Sequence, residues 1–317
     1  MTTVASARRG LPATRAWPPT LPLSAWRDTK ETLHMWSQIV GKTRLALSPP
    51  VNHWWHVPLY VTPRGLTTSA MPYGERFFAV DFDFINHRLY VRASDGATRA
   101  LELTSQSVAE FYAAYVEALR SFGLAVPMRP VPVEVETAIP FAEDRTHASY
   151  DPDAAAHWWR MMVEAQVVLQ QFRGSFLGKA SPVHFFWGSF DLAVTRFSGR
   201  RAPVHPGGAP NCPDYVMREA YSHECSSCGF WPGGGAMAEP AFYSYAYPAP
   251  PGYPEHPVRP VGARFDAALG EFVLPYEVVR RAPAPDATLL EFLQSTYEAA
   301  ADLGAWDRAA PPTTRPS

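Results

Sequence analysis

Cysteine is scarce: Cys212, Cys225 and Cys228 are the only three in 317 residues. An odd, sparse set makes no disulfide framework and suits a reducing cytosol, so a cytoplasmic location is expected. Charge is thin too, with Asp, Glu, Lys and Arg at 18% and a formal net charge of −2. Without a basic run, nothing attracts a phosphate backbone or an anionic bilayer, so neither nucleic acid nor membrane is expected as a partner. No stretch approaches the ~20 apolar residues of a membrane helix. The N-terminal MTTVASARRGLPATRAWPP has no apolar core of signal-peptide length. Walker, GxGxxG, HExxH and GxSxG motifs are all missing, which leaves no ready signature for nucleotide binding or hydrolysis.

What the chain does have is apolar and aromatic bulk, 47% and 13% of residues. That is ample for a buried core and excludes a mostly disordered chain. The length allows one large domain or two of ordinary size. Most of the 33 prolines beyond the N-terminal half fall between 200 and 285, where turn-rich connections are expected.

Along the chain, apolar spacing predicts a helix over Trp26 to Val40, stopped by Ser48-Pro49-Pro50. Asn52 to Thr62 is bulky and aromatic and reads as a strand. Phe77 to Phe84 alternates, with Phe78, Val80, Phe82 and Phe84 on one face. Leu89 to Ala93 and Arg99 to Leu103 form a predicted hairpin about Ser94-Asp95-Gly96. Ser105 to Phe122 is an amphipathic helix that Ser105 or Ser107 can cap and Gly123 stops. Val131 to Ile139 reads as an edge strand because of Pro132. Asp153 to Phe172 is a further helix.

The series then recurs. An offset of 132 pairs Gln38 with Gln170, Leu45 with Leu177, Trp55 with Trp187 and Arg64 with Arg196. An offset of 181 pairs Glu110 with Glu291, Phe111 with Phe292 and Gly123 with Gly304. The expected architecture is an α+β fold, a tandem duplication of a helix–antiparallel strands–helix unit packed about a pseudo-twofold axis. The units are expected at 17–143 and 144–307, the second enlarged by a Gly/Pro-rich insertion at about 200–262. Residues 1–16 and 308–317 read as disordered tails.

Polar residues inside apolar runs are the candidate site. His53 and His56 flank Trp54 and Trp55. In a strand they face opposite ways, so a shared metal would need a helical turn, and separately hydrogen-bonded histidines are the alternative. His184, Asp191 and Arg196 occupy SPVHFFWGSFDLAVTRFSGR, where a buried carboxylate needs a cation or several donors. Asp191 and Arg196 serve either as a structural ion pair or as a polar anchor for substrate. Tyr221, His223 and Glu224 lie in the insertion, where a histidine beside a carboxylate suits proton transfer or a metal. Cys212, His223, Cys225 and Cys228 are a conceivable zinc set of non-standard spacing, against two free thiols.

The runs NHWWHVPLYVTPRGL, SPVHFFWGSFDLAVTRFSGR and REAYSHECSSCGFWPG resemble an uncharacterised bacterial domain-of-unknown-function family, DUF5996, over roughly residues 21 to 308. The resemblance implies no activity, substrate or cofactor. It also implies other residue types at positions 225 and 228, which counts against zinc.

The expectation is a small-molecule enzyme of unassigned reaction, its pocket between the halves and under the insertion. His184, His223 and Glu224 would be catalytic. His53, Trp54, His56, Asp191, Arg196 and Tyr221 would bind substrate, with metal and cofactor left open. The alternative is a non-catalytic ligand-binding or protein-interaction module. Convergence of three or more of His53, His56, His184, Asp191, Arg196, His223 and Glu224 in one pocket favours the enzyme, and scatter favours the module.

Overall fold

The computed structural model describes residues 16–235 and 237–307. The first helix, α1 (Leu23–Leu47), runs past the predicted end, and Thr32 to Arg44 is buried without a break. A helix enclosed all round lies between layers instead of lying on one. Polar residues buried along it, notably His34, Gln38 and Lys42, therefore need partners from elsewhere in the chain.

The 52–62 run is mostly not a strand: Asn52–Trp54 is a 3-10 turn, with His53 and Trp54 both at positive φ. Strand β1 (Tyr60–Thr62) follows, then β2 (Gly65–Thr67), β3 (Met71–Tyr73), β4 (Arg76–Asp83), β5 (Arg88–Ala93) and β6 (Thr98–Glu102). They form an antiparallel sheet in the order β1-β2-β4-β5-β6, with β3 beside β4. Phe78, Val80, Phe82 and Phe84 are all buried, as the alternation requires. Helix α2 (Val108–Ser121) opens on a capping box in which Ser107 and Glu110 satisfy each other's backbone N–H. Trp36 of α1 stacks on Phe111 of α2 with ring centroids 4.6 Å apart. The 131–139 segment forms no strand.

Helix α3 (Pro152–Gly174) begins at Asp151, whose carboxylate accepts from two backbone N–H groups. The second sheet contains β7 (His184–Phe186), β8 (Asp191–Arg201), β9 (His223–Trp231), β10 (Ala241–Tyr247), β11 (Arg264–Asp266) and β12 (Glu271–Pro275). Its order is β11-β12-β10-β9-β8-β7, antiparallel throughout. Short α4 (Asp214–Ala220) lies between β8 and β9, and α5 (Tyr276–Arg281) and α6 (Pro285–Leu303) close the chain. The fold is thus α+β, with two antiparallel sheets.

The stretch read as an insertion, 202–262, contains β9 and β10, two central strands of the second sheet. The residues outside that sheet are the shorter segments about α4 and before β11. The 132 offset also does not follow the elements: α1 ends at Leu47 and α3 at Gly174, 174 − 47 = 127 apart. Leu177 lies past α3 while Leu45 lies within α1, and Arg64 is in the β1–β2 turn while Arg196 is mid-β8. The tails expected at 1–16 and 308–317 fall outside the described residues except for Ala16. The sheets meet edge to edge, where Leu59 and Phe185 exchange backbone hydrogen bonds of 2.9 and 2.7 Å.

Candidate ligand-binding site

The period of two along β8 sends Leu192, Val194 and Arg196 towards helices α3 and α6 and Asp191, Ala193, Thr195 and Phe197 the other way. Strand register extends that second face sideways in three rows: Ala193–Gly229–Tyr243, Thr195–Ser227–Tyr245 and Phe197–Cys225–Tyr247. A cavity of about 370 Å³ stands on this floor. Trp54, Trp55, Phe186 and Trp187 form aromatic walls, α1 contributes Lys42 and Leu45, and α4 lies over it with Tyr215 and Val216. A second recess of about 460 Å³ shares Glu134, Asp191, Tyr221, Tyr243 and Tyr245 and adds His205 and Glu271.

The floor's hydroxyls are paired with one another. Tyr221 and Tyr245 share a hydrogen bond of 2.7 Å, and Thr195 and Ser227 one of 2.9 Å. Asp191 accepts from Tyr243 and from Ser189, two neutral donors and no cation. Tyr243 reaches Asp191 by lying across Gly229, where a Cβ would stand 2.6 Å from its hydroxyl and 2.1 Å from the Leu192 carbonyl oxygen. Burial pushes Asp191 up from the ordinary carboxyl range.

Glu134 comes from the irregular 131–139 segment and has φ 58°. Its carboxyl rests on Gly188, whose missing Cβ would lie 2.2 Å from Oε1. It lines the cavity and keeps an exposed surface, yet partial desolvation of the carboxyl, then Asp191, pushes it up to about 7. Glu271 is likewise pushed up to about 7, first by burial and then by Asp191 and Asp266. The buried Gln38 side chain holds this segment: its amide donates to the Val133 carbonyl, and Val133 N–H donates back, both at 2.8 Å. Replacing Gln38 with leucine is expected to orphan both backbone groups, at about 1–3 kcal/mol. Urea denaturation reads that loss, and an unchanged midpoint contradicts it.

The residues singled out from sequence disperse. His53 and Trp54 line the cavity, but their polar atoms hold α4. Lys179 Nζ donates to His53 Nε2 at 2.7 Å, and His53 Nδ1–H donates to the Ala220 carbonyl at 2.9 Å. Trp54 Nε1–H donates to the Val216 carbonyl at 3.0 Å. Two consecutive non-glycine residues at positive φ are a strained arrangement, here retained where a turn ties down the cover. Asp191 and Tyr221 line the cavity.

His56 bonds to the backbone of Val51 away from it. His184 is 1% exposed, lies outside the cavity lining, and among the described residues has no hydrogen-bond partner on either ring nitrogen. Arg196 is on the helix-facing side of β8, five residues from Asp191 and on the opposite face. His223 sits edge-on to His53 at 5.7 Å and outside the cavity lining, whereas Glu224 binds Ser198 and Arg200. Adjacent positions on β9 alternate in direction, so His223 and Glu224 form no proton-transfer pair. Of the nine candidates, His53, Trp54, Asp191 and Tyr221 line the cavity, and His56, His184, Arg196, His223 and Glu224 do not.

Nor do the cysteines converge. Cys225 faces the cavity and Cys228 the opposite side, where its thiol donates to the Val194 carbonyl at 3.7 Å. All three are free, and among the described residues no three His, Cys, Asp or Glu side chains gather as metal ligands. No described helix is long and apolar enough to cross a membrane.

The match to known sequences covers this whole architecture: the model of a family of unknown function, DUF5996, matches residues 17–312. The chain belongs to the DUF5996 family. No curated protein and no solved structure matches it. Within this DUF5996 chain, the residues that sequence reading missed are Lys42, Glu134, Tyr243 and Glu271. One signal was available for the tyrosines. Tyr243, Tyr245 and Tyr247 alternate with small residues, the pattern of one aromatic strand face.

Proposed function

We propose that the chain binds a small organic molecule in the cavity between α4 and the β8–β10 floor. One observation carries this: a cavity of about 370 Å³ is walled by aromatic rings and floored by hydroxyls and a carboxylate whose partners among the described residues are neutral donors. Ligand pockets combine an apolar lining with a few convergent polar groups, as here. The ligand's apolar body would lie against Trp54, Trp55 and Trp187, with a donor group over Glu134 and Asp191. Scatter of the histidines favours a binding module over the expected enzyme. Glu134 favours the enzyme as the second reading, because a carboxyl titrating near 7 with no hydrogen bond among the described residues suits a general base.

We further infer that the helix–strands–helix units 17–143 and 144–307 are copies of one ancestral half about a pseudo-twofold axis. Support comes from their shared element order, α1–meander–α2 and α3–meander–α6, and from the Leu59–Phe185 bridge between equivalent edge strands. A cytoplasmic location rests on the three free thiols alone.

Titration with the uncharged fluorophore N-phenyl-1-naphthylamine tests the pocket. Saturable binding is expected, and Ala193→Phe, which plants a ring on the floor, is expected to weaken it at least tenfold. Equal binding by wild type and variant rejects the cavity as the site.

A further inference from the structure

The cavity contains a cation with nothing to pair with. Lys42 is only 5% exposed and lines the cavity, and among the described residues it makes no hydrogen bond or ion pair. Its nearest recorded companion is the Trp187 ring, with Nζ 5.7 Å from the centroid. Its place on α1 is fixed closely, because at the preceding Gly41 a Cβ would meet the Trp187 ring at 2.2 Å. The helix therefore packs hard against Trp187, and the lysine stem passes beside that ring into the cavity.

A buried ammonium without a counter-ion is costly, and proteins ordinarily pair or expose it. Here the largest charge effect on Lys42 comes from another cation, Arg129, which also lines the cavity and has no ion pair among the described residues. Burial first and then Arg129 lower Lys42 to about 8, opposed by Cys212. Asp191 acts on Glu134, raising it. Lys42 and Arg129 thus bring two unpaired cations to a cavity that the acids Glu134 and Asp191 also line.

We propose that Lys42 and Arg129 form an anion-binding end of this cavity, which takes the carboxylate of an aromatic or similarly apolar organic acid. A carboxylate is favoured because one compact anion satisfies both cations, while its apolar body displaces water from the tryptophan walls. This rests on the cavity being the ligand site, and adds the chemical class of the ligand and the residue that selects it.

Displacement of N-phenyl-1-naphthylamine by 3-phenylpropionate and by the uncharged 3-phenyl-1-propanol, similar in shape, tests the proposal. In wild type the carboxylate is expected to bind at least tenfold more tightly than the alcohol, with a preference that shrinks as salt is raised. Lys42→Met keeps the stem and removes the charge. It is expected to abolish the preference while leaving the affinity for the alcohol within twofold, which also certifies the fold. Arg129→Gln is expected to reduce the preference partly. Equal binding of acid and alcohol by wild type, or a preference surviving in Lys42→Met, overturns the anion site while the cavity reading stands. Failure of all three compounds to bind overturns both.

Discussion

Acidification below about pH 4.5 is expected to destabilise the chain, with His184 and His34 setting the threshold. Both are buried, at 1% and 9% exposure. Burial first, then Arg44 and Arg173, lowers His184 to about 3. Burial first, then Lys30, lowers His34 to about 4, against the opposing pull of the Gly188 carbonyl that its Nε2–H bonds at 2.8 Å. A histidine depressed in the folded state contributes stability above its unfolded value of 6.5, which is lost as pH falls through the folded value.

The shifts are 6.5 − 4 = 2.5 and 6.5 − 3 = 3.5 units. At about 1.4 kcal/mol per unit they amount to roughly 8 kcal/mol, of which only about 3 kcal/mol is lost below pH 4.5, still a large fraction of a domain's marginal stability. Glu134 and Glu271 act in the opposite sense. Raised to about 7, they favour the folded state below their unfolded value of 4.5 and lose that benefit as pH rises through 7. Glu134 is exposed and Glu271 partly so, hence solvent screens them, and their gain is complete by pH 4.5, while His184 continues to lose to pH 3. The balance predicts a shallow profile from pH 7 to 5 and a steep fall below.

His184→Leu isolates the cause. It removes two buried nitrogens without partners, each costing about 1–3 kcal/mol. The variant is expected to be more stable at pH 7 and to have a lower acid midpoint by circular dichroism. An acid midpoint unchanged from wild type contradicts the account.

Arg196→Ala is expected to cost about 3–5 kcal/mol and to leave ligand binding by the folded fraction intact. The guanidinium is 1% exposed and lies between rings, with its carbon 3.3 Å from the Phe172 centroid and 4.4 Å from that of Tyr297. It donates to the Phe172 carbonyl and to Ser175 Oγ at 3.0 Å, at the C-terminal end of α3, where a cation also meets the negative end of the helix dipole. Desolvated cation–π contacts contribute about 2 kcal/mol and charged hydrogen bonds about 1.5–3 each, less the cost of burying the charge. Guanidinium denaturation measures the loss. A normal unfolding midpoint together with weakened binding of N-phenyl-1-naphthylamine would return Arg196 to the ligand site.

Much of the fold was legible where structure is local. The serine cap of α2, the Ser94-Asp95-Gly96 hairpin and the Phe78–Phe84 alternation are each written in a few neighbouring residues, and each formed, with Ser107 the cap of the two serines offered. Strand β9 escaped because HECSSCGFW is rich in Cys, Ser and Gly. It is a strand because β8 and β10 flank it, which is tertiary context overriding propensity. The 52–56 turn escaped because aromatic bulk indicates strand, whereas α4 holds His53 and Trp54 in left-handed conformations. In the site, Asp191, Tyr221, His53 and Trp54 were found as polar or aromatic residues in unusual surroundings. Lys42 looked like an ordinary helix lysine, because its burial comes from Trp187, 145 positions away (187 − 42). Glu134 depends on Gln38 clasping Val133, a pairing no local pattern announces.

The cavity's role as the ligand site is tested most directly by a crystal structure of the chain saturated with N-phenyl-1-naphthylamine. The account predicts the fluorophore between α4 and the Ala193–Gly229–Tyr243 row, against the Trp54 and Trp187 rings. Density for it elsewhere on the molecule, with this cavity filled by solvent, would contradict the account.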